Sequence, residues 1–302
     1  MSQTIRKQQH DASSTQTSTS LLRRLSLSVK ARTRALKLRA CLSLGLGHPG
    51  IDAFIVGFPK VGNTWFQVML RKLLVTHGDH DDRLIPEIFA TRDRLPAGTV
   101  AVEITHAMPK LDTESWRDMR IDFRRFRRRK ILLLIREPKD TMVSYYMQNR
   151  FREMHPLFEG TIDEMVHDEV FGLDKYLAFY RSWAETGRDL ADVMLIRYED
   201  MHAAADQVLR RTAEFIGLKD VTGASIEAAV EYGSFENMRK LEDRDALGMY
   251  ALSRPRSDDT RARKVRRGKI GGYKEQLSDE LADYIDRRVR TDLPDFYGYP
   301  LE

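Results

Sequence analysis

Residues 57–65 read Gly-Phe-Pro-Lys-Val-Gly-Asn-Thr-Trp, directly after the apolar run Ala53-Phe54-Ile55-Val56 and directly before a helix-like stretch from Phe66 to Leu74. Strand, glycine-bounded loop and helix in this order make a phosphate cradle, because the loop offers backbone N–H donors and the helix its positive dipole end. The glycine spacing matches a Walker A loop, but Asn63 stands where an ATP-type loop carries lysine, and Lys60 lies three residues earlier. From inside the turn, Lys60 would reach a different part of a bound phosphate ester. This displacement argues against an ordinary ATPase or GTPase.

From residue 50 onward, strand patterns alternate with helix patterns, which favours a parallel sheet covered on both faces. The expected strands are 53–58, 100–104, 130–135 and 193–197. The expected helices are 64–76, 139–149, 174–186, 204–216 and 278–291. The fold class is therefore α/β: a P-loop-containing three-layer αβα fold with a central parallel sheet. Residues 240–266 are mostly charged, lack periodicity and read as a mobile loop.

The 302 residues carry a net charge of +5, but residues 1–48 hold nine Lys or Arg against the single acid Asp11, so the tail is +8 and the remainder about −3. High overall basicity is thus no argument that the body binds nucleic acid. The expected organisation is a basic, partly disordered tail over 1–48 and one domain over 49–302. Within the tail, Leu22, Leu25, Val29, Leu36 and Ala40 fall at helical spacing among basic residues. This suits a basic amphipathic helix over 21–42 making peripheral membrane contact, an organelle-targeting segment, or a surface helix packed on the domain. One cysteine, Cys41, leaves no internal disulfide or Cys-rich metal site, and no apolar run approaches membrane-spanning length.

After the buried run Ile131 to Ile135 comes Arg136, where a magnesium-nucleotide enzyme commonly places an aspartate. Arg136 can fork onto a phosphate, and Ser144, two turns into the next helix, can add a hydroxyl. Near the C-terminus, Arg266-Arg267-Gly268-Lys269-Ile270-Gly271-Gly272 pairs cations with permissive glycines and can fold over an anion. The basic run 124–130 reads instead as the solvated entry to a strand.

Together these segments resemble the sulfotransferase family, of the cytosolic type that uses 3′-phosphoadenosine-5′-phosphosulfate. GFPKVGNTW is similar to its 5′-phosphosulfate loop, IREPKDTMVSYY to its 3′-phosphate motif, RYEDM at 197–201 to its core tyrosine segment and RRGKIGGYK to its terminal segment. The resemblance implies that Lys60, Val61, Gly62, Asn63, Thr64 and Trp65 meet the 5′-phosphosulfate and adenine. It implies that Arg136, Ser144, Arg266, Arg267 and Gly268 hold the 3′-phosphate, and that Tyr198 and Phe235 border the adenine. Glu103-Ile104-Thr105-His106-Ala107-Met108-Pro109 looks like the family's Lys-Thr-His-x-Pro stretch, which makes His106 the catalytic base, with Glu103 in reserve. Lys60 would neutralise the leaving group and Ser144 would restrain Lys60. Asn63 and Gly233 each stand where the family has threonine, and Glu137 where it has asparagine.

The implied activity is metal-free sulfuryl transfer to a hydroxyl or amine of a small-molecule, lipid or sugar (glycan) acceptor, in the cytoplasm and without nucleic acid. The acceptor pocket is expected from Tyr145, Tyr146, Met147, Phe151, Met154 and Phe158 with Arg150 and Arg152, and from Met249, Tyr250 and Leu252. The rival readings are a P-loop kinase using magnesium ATP and an adaptor working through the basic tail.

Overall fold

The computed structural model describes residues 32–152, 155–187, 189, 192–247, 252–254 and 259–299. The first part of the 21–42 helix expectation, together with Met154, Met249 and Tyr250, lies outside these residues. Four parallel strands form the centre: β1 (Ala53–Gly57), β2 (Val102–Thr105), β3 (Lys130–Ile135) and β4 (Asp192–Arg197), in the order β2-β1-β3-β4. Their sequences explain the order. All of β1 and all of β3 after Lys130 are buried, as a central strand covered on both faces requires, whereas Val-Glu-Ile-Thr and Asp-Val-Met-Leu-Ile-Arg keep partly exposed positions and take the edges. Each fully buried Ile, Leu, Val or Phe in these strands contributes about 1.5–3 kcal/mol.

Among the described residues, α1 spans 32–43, α2 Asn63–His77, α3 Pro138–Phe151, α4 Ile162–Val166 and α5 Leu173–Ser182. They are followed by α6 Tyr198–Ile216, α7 Gly223–Tyr232, α8 Phe235–Asp243 and α9 Asp279–Asp292. The expected helices are present, with three differences. The pattern from 174 ends in a π-turn at Trp183–Gly187. The helix expected from 204 begins at Tyr198, and Ala204 leaves helical geometry inside it, so the apolar periodicity is legible only beyond the kink. Helix α8 runs into the segment read as a loop, and fully buried Glu242 then fixes its far end by accepting the N–H groups of Lys264 at 2.7 Å and Val265 at 3.4 Å.

The basic run 124–130 enters β3 as expected, and it also anchors the chain before β1. Arg129 donates to the Leu46 carbonyl at 2.8 Å, and the Arg125 carbonyl accepts the His48 N–H at 3.0 Å. Arg34 of α1 pairs with Asp93, while Leu36 and Leu44 stay largely exposed.

In this strand order the chain leaves β1 for one side of the sheet and then returns to the other. The carboxyl ends of β1 and β3 therefore border the crevice where open α/β sheets bind ligands.

Candidate active site

The loop from Phe58 to Gly62 leaves fully buried β1 and turns tightly into α2. Gly62 takes φ +97°, and a side chain there would place its first carbon 2.7 Å from Cδ2 of Tyr198, so only glycine fits. Lys60 adopts φ +73°, a left-handed conformation that costs a lysine about 1–3 kcal/mol and that recurs at binding sites. Asn63 folds back on the loop, its amide nitrogen donating to the Phe58 carbonyl at 2.9 Å. Val61 differs from expectation: its side chain is fully buried in the core, so only its backbone belongs to the loop.

A cavity of about 560 Å³ opens at the carboxyl ends of the strands. Its walls include Lys60, Gly62, Asn63, Thr64 and Trp65 from the loop and α2, His106 after β2, Arg136 after β3, Ser144 of α3, Tyr198 at the start of α6, Phe235, and Arg266, Arg267 and Gly268. Apart from Val61 and the reserve base Glu103, the donor-binding and catalytic residues expected from sequence all meet here.

Buried Asp140 brings the C-terminal segment in. Its carboxylate accepts the N–H groups of Gly271 at 2.8 Å and Tyr273 at 3.0 Å, and it lies 3.5 Å from Arg136. Gly268 adopts φ +60° against the half-exposed Phe235 ring, which a side chain there would approach to 2.9 Å. Arg136 lies over the Tyr198 ring at 4.3 Å and donates to the Lys269 carbonyl at 3.1 Å, while its Nε is buried without a partner. Arg267 pairs with Glu275.

Trp65 donates to the Gly233 carbonyl at 2.8 Å and packs edge-on to Tyr198 and tilted to His202. A side chain at Gly233 would start 2.3 Å from Cγ of Met69. The packing therefore leaves no room for the threonine of the family pattern.

His106 Nδ1 lies 2.7 Å from the Gly57 carbonyl oxygen. A carbonyl can only accept, so Nδ1 carries the proton, and in the neutral ring Nε2 keeps its lone pair. Burial pushes the His106 pKa below its ordinary value, with the Gly57 bond opposing and the charge of Lys264 assisting. The ring is therefore unprotonated at neutral pH. Glu103, by contrast, is held by Arg125 and is absent from the cavity wall, which places the reserve base outside the site.

Burial, then the charges of Lys264, Arg152, Arg136 and Arg266, push the Lys60 pKa well below that of an ordinary lysine. Lys264, whose charge acts on Lys60, and Ser144 both line the same cavity. Lys264, His202, Asp140 and Gln148 are cavity residues that the sequence reading passed over. The expected acceptor wall is also different. Tyr145, Met147 and Leu252 are core residues, Phe151 packs against Arg261 at 4.0 Å, and the apolar lining comes from Ile104, Leu111, Val143 and Met238.

Comparison with known proteins gives a consistent result. Residues 51–297 match the family described as Sulfotransferase domain. The chain is 23% identical to an amine sulfotransferase of Oryctolagus cuniculus over 81% of each chain. It is 25% identical to a flavonol 3-sulfotransferase of Flaveria bidentis, over 80% of this chain and 81% of that one. The crystal structure of mouse sulfotransferase SULT7A1 complexed with PAP superposes with a TM-score of 0.55 at 20% identity, covering 80% of this chain and 83% of the other.

Proposed function

Because the chain belongs to the sulfotransferase domain family, we propose that it transfers a sulfuryl group from 3′-phosphoadenosine-5′-phosphosulfate to a hydroxyl or amine of a small-molecule acceptor, with His106 as the base. The observation that carries this reading is the set of cations Lys60, Lys264, Arg136 and Arg266 in the lining of a cavity that His106 also lines, where burial and the charges of the other three hold the Lys60 pKa well below its ordinary value. Such a cluster is strained until an anion enters. The unpartnered Arg136 Nε and the close turn at Gly268 suit a terminal phosphate, and the Phe58–Thr64 loop suits a second one at the N-terminus of α2. Two separated anion sites in one cleft match a nucleotide phosphorylated at both 3′ and 5′ positions better than the contiguous triphosphate of ATP. That distinction disfavours the kinase reading.

Each residue then has a defined task. Arg136, Arg266 and Arg267, with Ser144 and the Gly268 turn, hold the 3′-phosphate. Trp65, Tyr198 and Phe235 border the adenine, the last through its open ring face. Gly62, Asn63 and Thr64 present the loop to the 5′-phosphate. Lys60 neutralises the bridging oxygen as it departs, and Nε2 of His106 takes the acceptor proton. Catalysis is positioning plus electrostatics.

The proteins of the comparison carry names for an amine and a flavonol acceptor. Ile104, Leu111 and Val143 beside His106 give this cavity an apolar wall of the kind a ring-bearing alcohol or amine would cover. Incubation with the radiolabelled donor and panels of phenols, sterols, amines and sugars tests the proposal. Labelled product from wild type and not from His106→Ala is the expected result; a protein that binds the donor nucleotide but labels none of these classes would contradict the acceptor assignment.

A further inference from the structure

Lys264 is a cavity cation that has no task among the roles assigned so far. It lies two residues before Arg266, in a segment fixed through its backbone by Glu242. That carboxylate is balanced by Arg152 at 3.5 Å and Arg263 at 3.7 Å, so it does not consume the Lys264 amine. The amine instead donates to Oε1 of Gln148 at 3.1 Å, one helical turn beyond Ser144 on α3, and its charge is felt at Lys60. Its charge is also felt at His106. Lys264 thus shares the cavity lining with Lys60, the group assigned to the leaving oxygen, and His106, the group assigned to the acceptor proton, and its charge reaches both.

Two adjacent lysine amines repel when both are charged, and burial and Arg152 push the pKa of Lys264 down to about 8. An arrangement of this kind is costly unless an anion bridges the pair. Arg136 and Arg266 are assigned to the 3′-phosphate, so the anionic group left for this pair is the transferring one.

Resting on the sulfotransferase reading, we propose that Lys264 is a second catalytic cation, which grips the oxygens of the sulfuryl group together with Lys60 while that group passes from donor to acceptor. The bond from sulfur to the bridging oxygen breaks and its electron pair leaves with the 5′-phosphate. A bond from sulfur to the acceptor oxygen or nitrogen forms, and the acceptor proton goes to His106. Lys264 neither gains nor loses a proton.

The test separates the sulfuryl group from the rest of the nucleotide. Adenosine 3′,5′-bisphosphate lacks that group, so its binding reports the phosphate sites alone. In the full-length protein, Lys264→Met and Lys264→Gln are expected to lower kcat by about 100-fold, while the Kd of the bisphosphate by calorimetry stays within about threefold. Retained binding also shows that the variants fold. A kcat within about threefold of wild type would overturn the role, as would bisphosphate affinity falling by the same factor as kcat, which would make Lys264 a clamp on its segment. Failure of wild type itself to bind the bisphosphate would contradict the sulfotransferase reading, whereas wild-type turnover with unimpaired variants would contradict only the role of Lys264.

Discussion

His106 Nδ1 sits 2.7 Å from the carbonyl oxygen of Gly57, the last residue of β1 and the first of the phosphate loop. One bond therefore ties the proposed base to the element that cradles the donor. It selects the tautomer with Nε2 free, and burial keeps that nitrogen unprotonated at neutral pH.

The first prediction concerns this base. A base whose pKa lies below the ordinary histidine value of 6.5 is active throughout the neutral range, and it is lost only as pH falls through that lowered value. The acid limb of kcat/KM should accordingly lie below pH 6.5. His106→Ala should reduce transfer by ~10²–10⁴ with bisphosphate binding intact. Glu103→Gln should leave activity near wild type, since Glu103 serves Arg125 at the surface. A dead Glu103→Gln enzyme beside an active His106→Ala enzyme would reverse the assignment.

Lys60 and Arg136 should separate in kinetics. Lys60→Ala removes a contact to the departing oxygen and should lower kcat by about 100-fold or more with a small change in donor affinity. Arg136→Ala removes a forked phosphate contact and should raise the donor Kd roughly 10-fold or more. Equal losses of affinity in the two variants, with turnover of the bound complex unchanged, would remove both roles.

Asp140 holds the 266–273 segment against α3 by two backbone bonds and faces Arg136. Asp140→Ala leaves those N–H groups and a poorly exposed guanidinium without their partner, at a cost on the order of 3 kcal/mol. The expected outcome is a lower Tm together with weaker bisphosphate binding, measured by denaturation and calorimetry. Unchanged affinity would show that the segment docks by other means.

Gly233→Thr, the substitution toward the family pattern, should be harmful here. Its new carbon would meet Met69 at 2.3 Å in a packed core and disturb the Trp65 bond to the residue 233 carbonyl. Overpacking of this kind costs about 1–3 kcal/mol, readable as a fall in the denaturation midpoint. A stabilised variant would mean that Met69 and Trp65 repack freely.

What could be read from sequence was local. The phosphate loop was legible because Ala53 to Leu74 carries strand, turn and helix signals in one continuous stretch, and the buried run ending at Ile135 marked where Arg136 would project. That the Val61 side chain turns into the core was not legible, because a loop motif does not say which of its side chains faces inward. Asp140 was passed over because its partners lie at Gly271 and Tyr273, and a one-dimensional pattern has no signal for contacts across that separation. Lys264 was hidden in a segment that reads as charged and aperiodic. The buried Glu242 that orders it lies at the end of a helix the pattern did not reveal. A lysine two residues before the Arg266-Arg267-Gly268 run was the one available clue.

The central claim is that the cavity accepts a 3′,5′-bisphosphorylated nucleotide, and thermal denaturation in the presence of a chelator tests it without any knowledge of the acceptor. At a hundredfold excess over Kd, adenosine 3′,5′-bisphosphate should stabilise the protein by about 2.7 kcal/mol, a rise in Tm of roughly 5–10 °C for a domain of this size. ATP with magnesium should give a much smaller shift. Stabilisation by magnesium ATP with none by the bisphosphate would contradict the account.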